Sequence, residues 1–195
     1  DTSSVKNMSH LFYNCIKLSN VNLSELNTKN VEDKSNMFQS LSSLTSLDVS
    51  NFDTSNVKNM SGMFKLSPKI ITLNLTNFVT KKVIDMSEMF QFDSGLLNLY
   101  INNFDTKEVT TMKNMFYNCG FRNIDISSFD TGKVTDFSGM FGLCTSLKEI
   151  EISNFNSENV KNMSRMFYFC DSLKELDLTK FKPNNVKDMS EMFDG

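Results

Sequence analysis

The segment Phe52 to Phe64, FDTSNVKNMSGMF, returns with small changes at Phe104 to Phe116 (FDTKEVTTMKNMF), Phe129 to Phe141 (FDTGKVTDFSGMF) and Phe155 to Phe167 (FNSENVKNMSRMF). Aligned on the closing phenylalanine, the chain carries Phe12, Phe38, Phe64, Phe90, Phe116, Phe141, Phe167 and Phe193, so the step is 26 residues everywhere except for 25 between Phe116 and Phe141. Self-similarity at this period is the signature of a solenoid, because a unit this small cannot bury its own apolar face and must share a core with its neighbours. The short step has a visible cause: Cys119-Gly120-Phe121 stands where the next repeat has Cys144-Thr145-Ser146-Leu147.

Two apolar segments recur within each repeat. Leu47/Val49, Leu73/Leu75, Leu99/Ile101, Ile124/Ile126, Ile150/Ile152 and Leu176/Leu178 alternate with polar residues, which predicts one short strand with a buried face. The pattern continues at Val21/Leu23, and seven strands at about 4.8 Å per rung form a parallel sheet of roughly 30 Å. The second segment has helical spacing: Val57, Met60, Met63 and Phe64 recur as Val160, Met163, Met166 and Phe167. Ahead of it stand Asn7, Asp33, Asn59, Asp85, Thr111, Asp136, Asn162 and Asp188, residue types that cap helix N-termini. The expected fold is therefore an α/β solenoid with one short parallel strand and one short helix per 25–26-residue repeat. Residues 1–195 form a single domain of seven to eight repeats. Both ends join the repeat partway through, and the expectation is a segment of a longer chain without its caps.

The run Met166 to Phe193, MFYFCDSLKELDLTKFKPNNVKDMSEMF, resembles the 26-residue repeat of bacterial surface proteins, the BspA-like branch of the leucine-rich repeats. The likeness extends over essentially the whole chain. It implies a right-handed leucine-rich-repeat-like stack on a cell-surface protein or lipoprotein with a role in adhesion, and it brings no catalytic residues. Lys34 departs from it, where the other repeats favour Met, as does Phe78 to Val83 (FVTKKV), where the corner loses its Asp.

Composition narrows the function further. A net charge of −3 with only two arginines, Arg122 and Arg165, argues against nucleic-acid binding. No apolar run approaches the ~18 residues of a membrane span, so no membrane insertion by this segment is expected. Catalysis has no foothold: there is one histidine, His10, no nucleophile elbow or glycine-rich phosphate loop, and carboxylates occur only as ladders. No cofactor is implied.

Four columns invite a functional reading. Cys15, Cys119, Cys144 and Cys170 share one position, which suits buried free thiols and leaves a disulfide between neighbouring rungs open. The methionines sit at fixed core spacing. Thr28, Thr54, Thr80, Thr106 and Thr131, followed by Ser157, form a hydroxyl row that could order water or serve the turns. An acidic row on the outward strand face includes Glu149, Glu151, Glu175 and Asp177, readable as a solvated face offset by Lys148 and Lys174 or as a divalent-cation ladder.

The strand face changes character in its middle. The column Ser19, Thr45, Ile71, Leu97, Arg122, Lys148, Lys174 turns apolar at Ile71 and Leu97, and Tyr100 lies close by. Asn74, Asn98 and Arg122 rim that cluster, a composition typical of protein-binding hot spots. The chain is read as a non-enzymatic surface segment that recognises a protein partner, such as a host surface or matrix protein, through Ile71, Asn74, Leu97, Asn98, Tyr100 and Arg122. The alternative is a structural spacer or self-assembling stalk.

Overall fold

A computed structural model describes residues 1–195, and it is a stack of coils linked rung to rung along its length. Asn7, Asp33, Asn59, Asp85, Thr111, Asp136, Asn162 and Asp188 bridge one another in parallel, each to the equivalent residue one repeat away. The 25-residue step keeps this register. Gly120 and Phe121 replace the longer turn, and Phe121 is buried edge-on against Phe116 at 5.8 Å.

The eight closing phenylalanines form a ladder through the interior. Successive rings from Phe12 to Phe193 stack with centroids 5.5–5.9 Å apart and planes within 15°. Around them lie the inward strand residues and every methionine except Met189, in one continuous apolar core. The spacing follows from the rung rise of about 4.8 Å with a small lateral offset, an arrangement aromatic rings favour over a flat sandwich.

The expected helices do not form. In every repeat the residues two before and two after the closing Phe have positive φ; apart from Gly195 at 115°, these φ values lie between 49° and 65°. Gly62 and Leu66 flank Phe64, and Asn114 and Asn118 flank Phe116. An α-helix needs φ near −63° throughout, so this wall is a run of tight turns. Its hydrogen bonds alternate. Met60, Gly62, Phe64 and Leu66 donate N–H to the carbonyls of Asp85, Ser87, Met89 and Gln91 on the next rung, while Met63 and Lys65 close turns onto Met60 and Gly62. Tight turns bring the same side chains inward as a helix would, which is why the spacing looked helical. The polar residues ahead of this wall do accept the N–H two residues on, as at Asp33 from Ser35 (2.8 Å) and Asn59 from Ser61 (2.9 Å), but they open turns, not helices.

Regular strand pairing is also narrower than one strand per repeat. Strands β1 (Thr72–Asn74) and β2 (Asn98–Tyr100) pair in parallel, with Thr72 opposite Asn98, Leu73 opposite Leu99 and Asn74 opposite Tyr100. Elsewhere the same wall is extended with the expected alternation, Val49, Ile126 and Ile152 pointing inward. At its end Asp48, Asn74, Asp125, Glu151 and Asp177 each accept the N–H two residues on and turn the chain. No helix long and apolar enough to cross a membrane is present.

Candidate recognition surface

β1 and β2 carry the residues that sequence reasoning singled out. Leu97 donates its N–H to the Ile71 carbonyl at 2.9 Å, which stacks their side chains on adjacent rungs. Both are 54% exposed, and Tyr100, three residues along from Leu97, is 50% exposed. Asn74 lies opposite Tyr100, and the Asn98 amide donates to Thr72 Oγ1 at 3.2 Å. Arg122 continues the Ile71–Leu97 column, joined to the next rung where Lys148 N–H donates to its carbonyl at 2.8 Å. All six residues are thus exposed on the strand wall, on three consecutive rungs. Their neighbours Leu73 and Leu99 point to the core side, so the apolar side chains outside are not spillover from a misphased strand.

The lysines beside the acidic row do not pair with it. Lys148 and Lys174 make no ion pair; the pairs that exist join Glu32 to Lys6 and Lys58, Lys65 to Glu88, Lys133 to Glu108 and Arg165 to Glu191. Four acids of the row, Asp48, Asp125, Glu151 and Asp177, are instead held by their own turns. Hydrogen bonds from Ser50, Ser127, Ser153 and Thr179 pull Asp48, Asp125, Glu151 and Asp177 below their ordinary carboxyl range. No three His, Cys, Asp or Glu side chains converge on a common point, so Glu149, Glu151, Glu175 and Asp177 are not arranged as a ligand set.

The threonine row faces inward. Thr28, Thr54, Thr80, Thr106 and Thr131 are all buried, and each hydroxyl both donates to and accepts from the backbone of the next rung. A water-ordering surface is excluded by that placement. The expected irregularity of FVTKKV is slight: Val79 cannot accept the turn bond that Asp53 takes from Ser55, yet Thr80 keeps its bonds to the next rung.

The cysteines are free. Cys119, Cys144 and Cys170 donate S–H to the carbonyls of Phe90, Phe116 and Phe141 at 3.0–3.1 Å, a role Ser67 performs toward Phe38 at 3.2 Å. Burial pushes the Cys119 and Cys144 thiols well up and Cys170 up to about 12, so none is poised to react. Cys15 departs from the expectation of burial and is exposed.

Sequence reasoning passed over a groove on the turn wall, near Gln91, Tyr117 and Ser138. The available signal was Gly142, where the flanking repeats carry Tyr117 and Tyr168.

The family described as Mycoplasma protein of unknown function, DUF285, matches residues 1–98, 65–168 and 92–195. The chain belongs to the DUF285 family. The matched windows overlap and between them span the whole chain, as a family defined by a short repeat would. A crystal structure of a leucine-rich repeat protein from Bacteroides ovatus is similar at 16% identity, with a TM-score of 0.36; the match covers 96% of this chain and 58% of that one. The chain thus spans less than two thirds of that protein's length. No curated protein matches the sequence.

Proposed function

We propose that this DUF285 chain is a non-enzymatic recognition segment of a bacterial cell-surface protein, of the BspA-like kind, and that it holds a protein partner on its strand wall. Ile71, Leu97 and Tyr100 form the contact centre, with Asn74, Asn98 and Arg122 at the rim. The observation that carries this reading is the concentration of three half-exposed large apolar side chains on two adjacent rungs, in columns that are polar on the rungs before and after. Clustered apolar and aromatic surface with a polar rim is the usual anatomy of a binding hot spot. A host surface or matrix protein is the partner class that fits a surface adhesin.

The test is capture of purified matrix and host-surface proteins on the immobilised chain, run beside a Leu97→Glu, Tyr100→Glu double variant. Both side chains are half in solvent, so the variant is expected to fold with stability within about 0.5 kcal/mol of the original. A partner held by the original and lost by the variant supports recognition at this patch. Equal capture by both, or none by either, transfers the reading to a spacer or self-assembling stalk, whose unbroken ladder from Asn7 to Asp188 would be its working part.

A further inference from the structure

Three consecutive rungs of the strand wall carry a base at one end of the outward face and an acid at the other. The pairs are Arg122 with Asp125, Lys148 with Glu151 and Lys174 with Asp177, and all six side chains are exposed. Within a rung the two stand three residues apart on extended backbone, about 10 Å, which is too far for an ion pair. Along the stack the bases lie beside bases and the acids beside acids, about 4.8 Å per rung, a placement that destabilises a ladder. None of the six pairs with another within the strand wall.

Reversing one wall end for end sets each base against an acid at the same height. The operation that does so is a two-fold axis along the stack, between two chains placed wall to wall with their rungs level. Lys148 then meets Glu151 of the second copy, and the same exchange occurs at Arg122 with Asp125 and at Lys174 with Asp177. Tyr100 of each copy lies over Leu97 of the other, so the apolar rung is matched as well. Ile71 with Asn74 is the one mismatched rung. The other face-to-face two-fold, perpendicular to the stack, lays each column on itself, and no base meets an acid. Charge therefore selects one arrangement, and an isologous contact of this kind closes at two chains.

Glu149 and Glu175 lie between the two columns, next to this axis, where each faces its own equivalent and opposes association. The wall measures roughly 30 Å by 10 Å, at the small end of specific interfaces. With that opposition a Kd of about 10–100 μM is expected.

We propose that the strand wall is a homodimer interface, whose occupant is a second copy of this chain related by a two-fold axis along the stack. The proposal rests on the reading of Ile71, Leu97 and Tyr100 as a contact centre, and a captured protein partner has to displace the second copy to reach them.

The test is sedimentation equilibrium of the full chain from ~5 to ~500 μM, a range that brackets the expected Kd. A reversible monomer–dimer equilibrium is expected. Lys148→Glu with Lys174→Glu should weaken it about tenfold or more, as should Glu151→Lys with Asp177→Lys, because each sets like charges face to face. Mixed in equal amounts, these two double variants should form a heterodimer, since each supplies the charge the other has lost. Glu149→Gln with Glu175→Gln should tighten the dimer. A chain still monomeric at ~500 μM, association beyond two chains, undiminished dimerisation of the Lys148→Glu, Lys174→Glu variant, or two folded variants that do not combine would overturn the proposal. The lysine variant leaves the turn bonds at Glu151 and Asp177 in place, so its result decides even if the other variant does not fold. Capture of a matrix protein by a purely monomeric chain would sink the dimer and leave the proposed function standing. A dimer that captures nothing would support the interface and sink the matrix-protein reading.

Discussion

Thr80 Oγ1 donates to the Asp105 carbonyl at 2.9 Å and accepts the Asp105 N–H at 2.8 Å. One buried hydroxyl thereby satisfies both backbone polar groups of a residue 25 positions away, at a corner where no strand partner is available. The stitch recurs from Thr28 to Thr131, and at Ser157 the hydroxyl accepts from Lys182 N–H at 2.7 Å. Thr80→Val keeps the shape and removes both bonds. Each buried group left unpaired costs about 1–3 kcal/mol, so a loss of about 2–4 kcal/mol is expected in urea denaturation. Thr80→Ser should lose less than half as much, and equal losses from Ser and Val would show that the methyl, not the hydroxyl, matters.

Lys34 replaces the methionine of its column and is 0% exposed, with Nζ unpartnered at 5.0 Å from the Phe52 ring centroid. Burial lowers its pKa to about 8 from 10.5, against a smaller opposing pull from Asp53. Because the unfolded chain holds this proton more tightly, the penalty is full below pH 8 and fades as pH rises toward 10.5. At 1.36 kcal/mol per pH unit the gap is worth roughly 3 kcal/mol. Lys34→Met should raise stability by about 2–3 kcal/mol at pH 7, and its advantage should shrink between pH 8 and 10. An advantage that does not change with pH would locate the effect in packing alone.

Asp93 is the one carboxylate buried in the cysteine column, accepting the Ser67 N–H at 2.6 Å. Burial pushes its carboxyl well above the ordinary value of 3.8. A carboxyl raised in the fold is more protonated there than in the unfolded chain, so stability falls as pH rises above about 4 and levels off above the folded-state value. Asp93→Ser, which copies Ser67 in the same column, should be more stable than the original at pH 7 by at least about 1 kcal/mol. Its melting temperature should also be flatter across that acid range. A variant as pH-dependent as the original would clear Asp93 of the effect.

Gly139 occupies the left-handed position at φ 62°, and a Cβ there would collide with Asn114 Oδ1. Gly139→Ala should cost about 1–2 kcal/mol from the backbone alone. The reverse logic applies to Ser40, at φ 64° in a column that Asn14 and Asn118 share. Ser40→Asn should be neutral or stabilise by a few tenths of a kcal/mol, since Asn tolerates this region. A destabilised Ser40→Asn in thermal melts would contradict the turn geometry.

What the sequence carried was whatever burial imposes column by column. The period, the phenylalanine ladder, the inward alternation of Leu73 and Leu75 and the outward position of Ile71 and Leu97 could all be read, because a side chain's apolarity reports its side of the wall directly. The helices could not be read correctly. Val57, Met60, Met63 and Phe64 point inward at a spacing common to helices and to chains of tight turns. The choice between them rests on whether Met60, Gly62 and Phe64 N–H groups find carbonyls within the segment or on the next rung. Those carbonyls, at Asp85, Ser87 and Met89, exist as partners only once the repeats have stacked. The same holds for the threonines, whose hydroxyls look free in a sequence and are consumed by residues 25 positions away. Gln91 and Ser138 show the same point: only the stacked structure brings these two residues, far apart in sequence, to one recess. Composition along the chain determined which faces are buried; hydrogen bonds between rungs, which no single repeat contains, decided the backbone and the sites upon it.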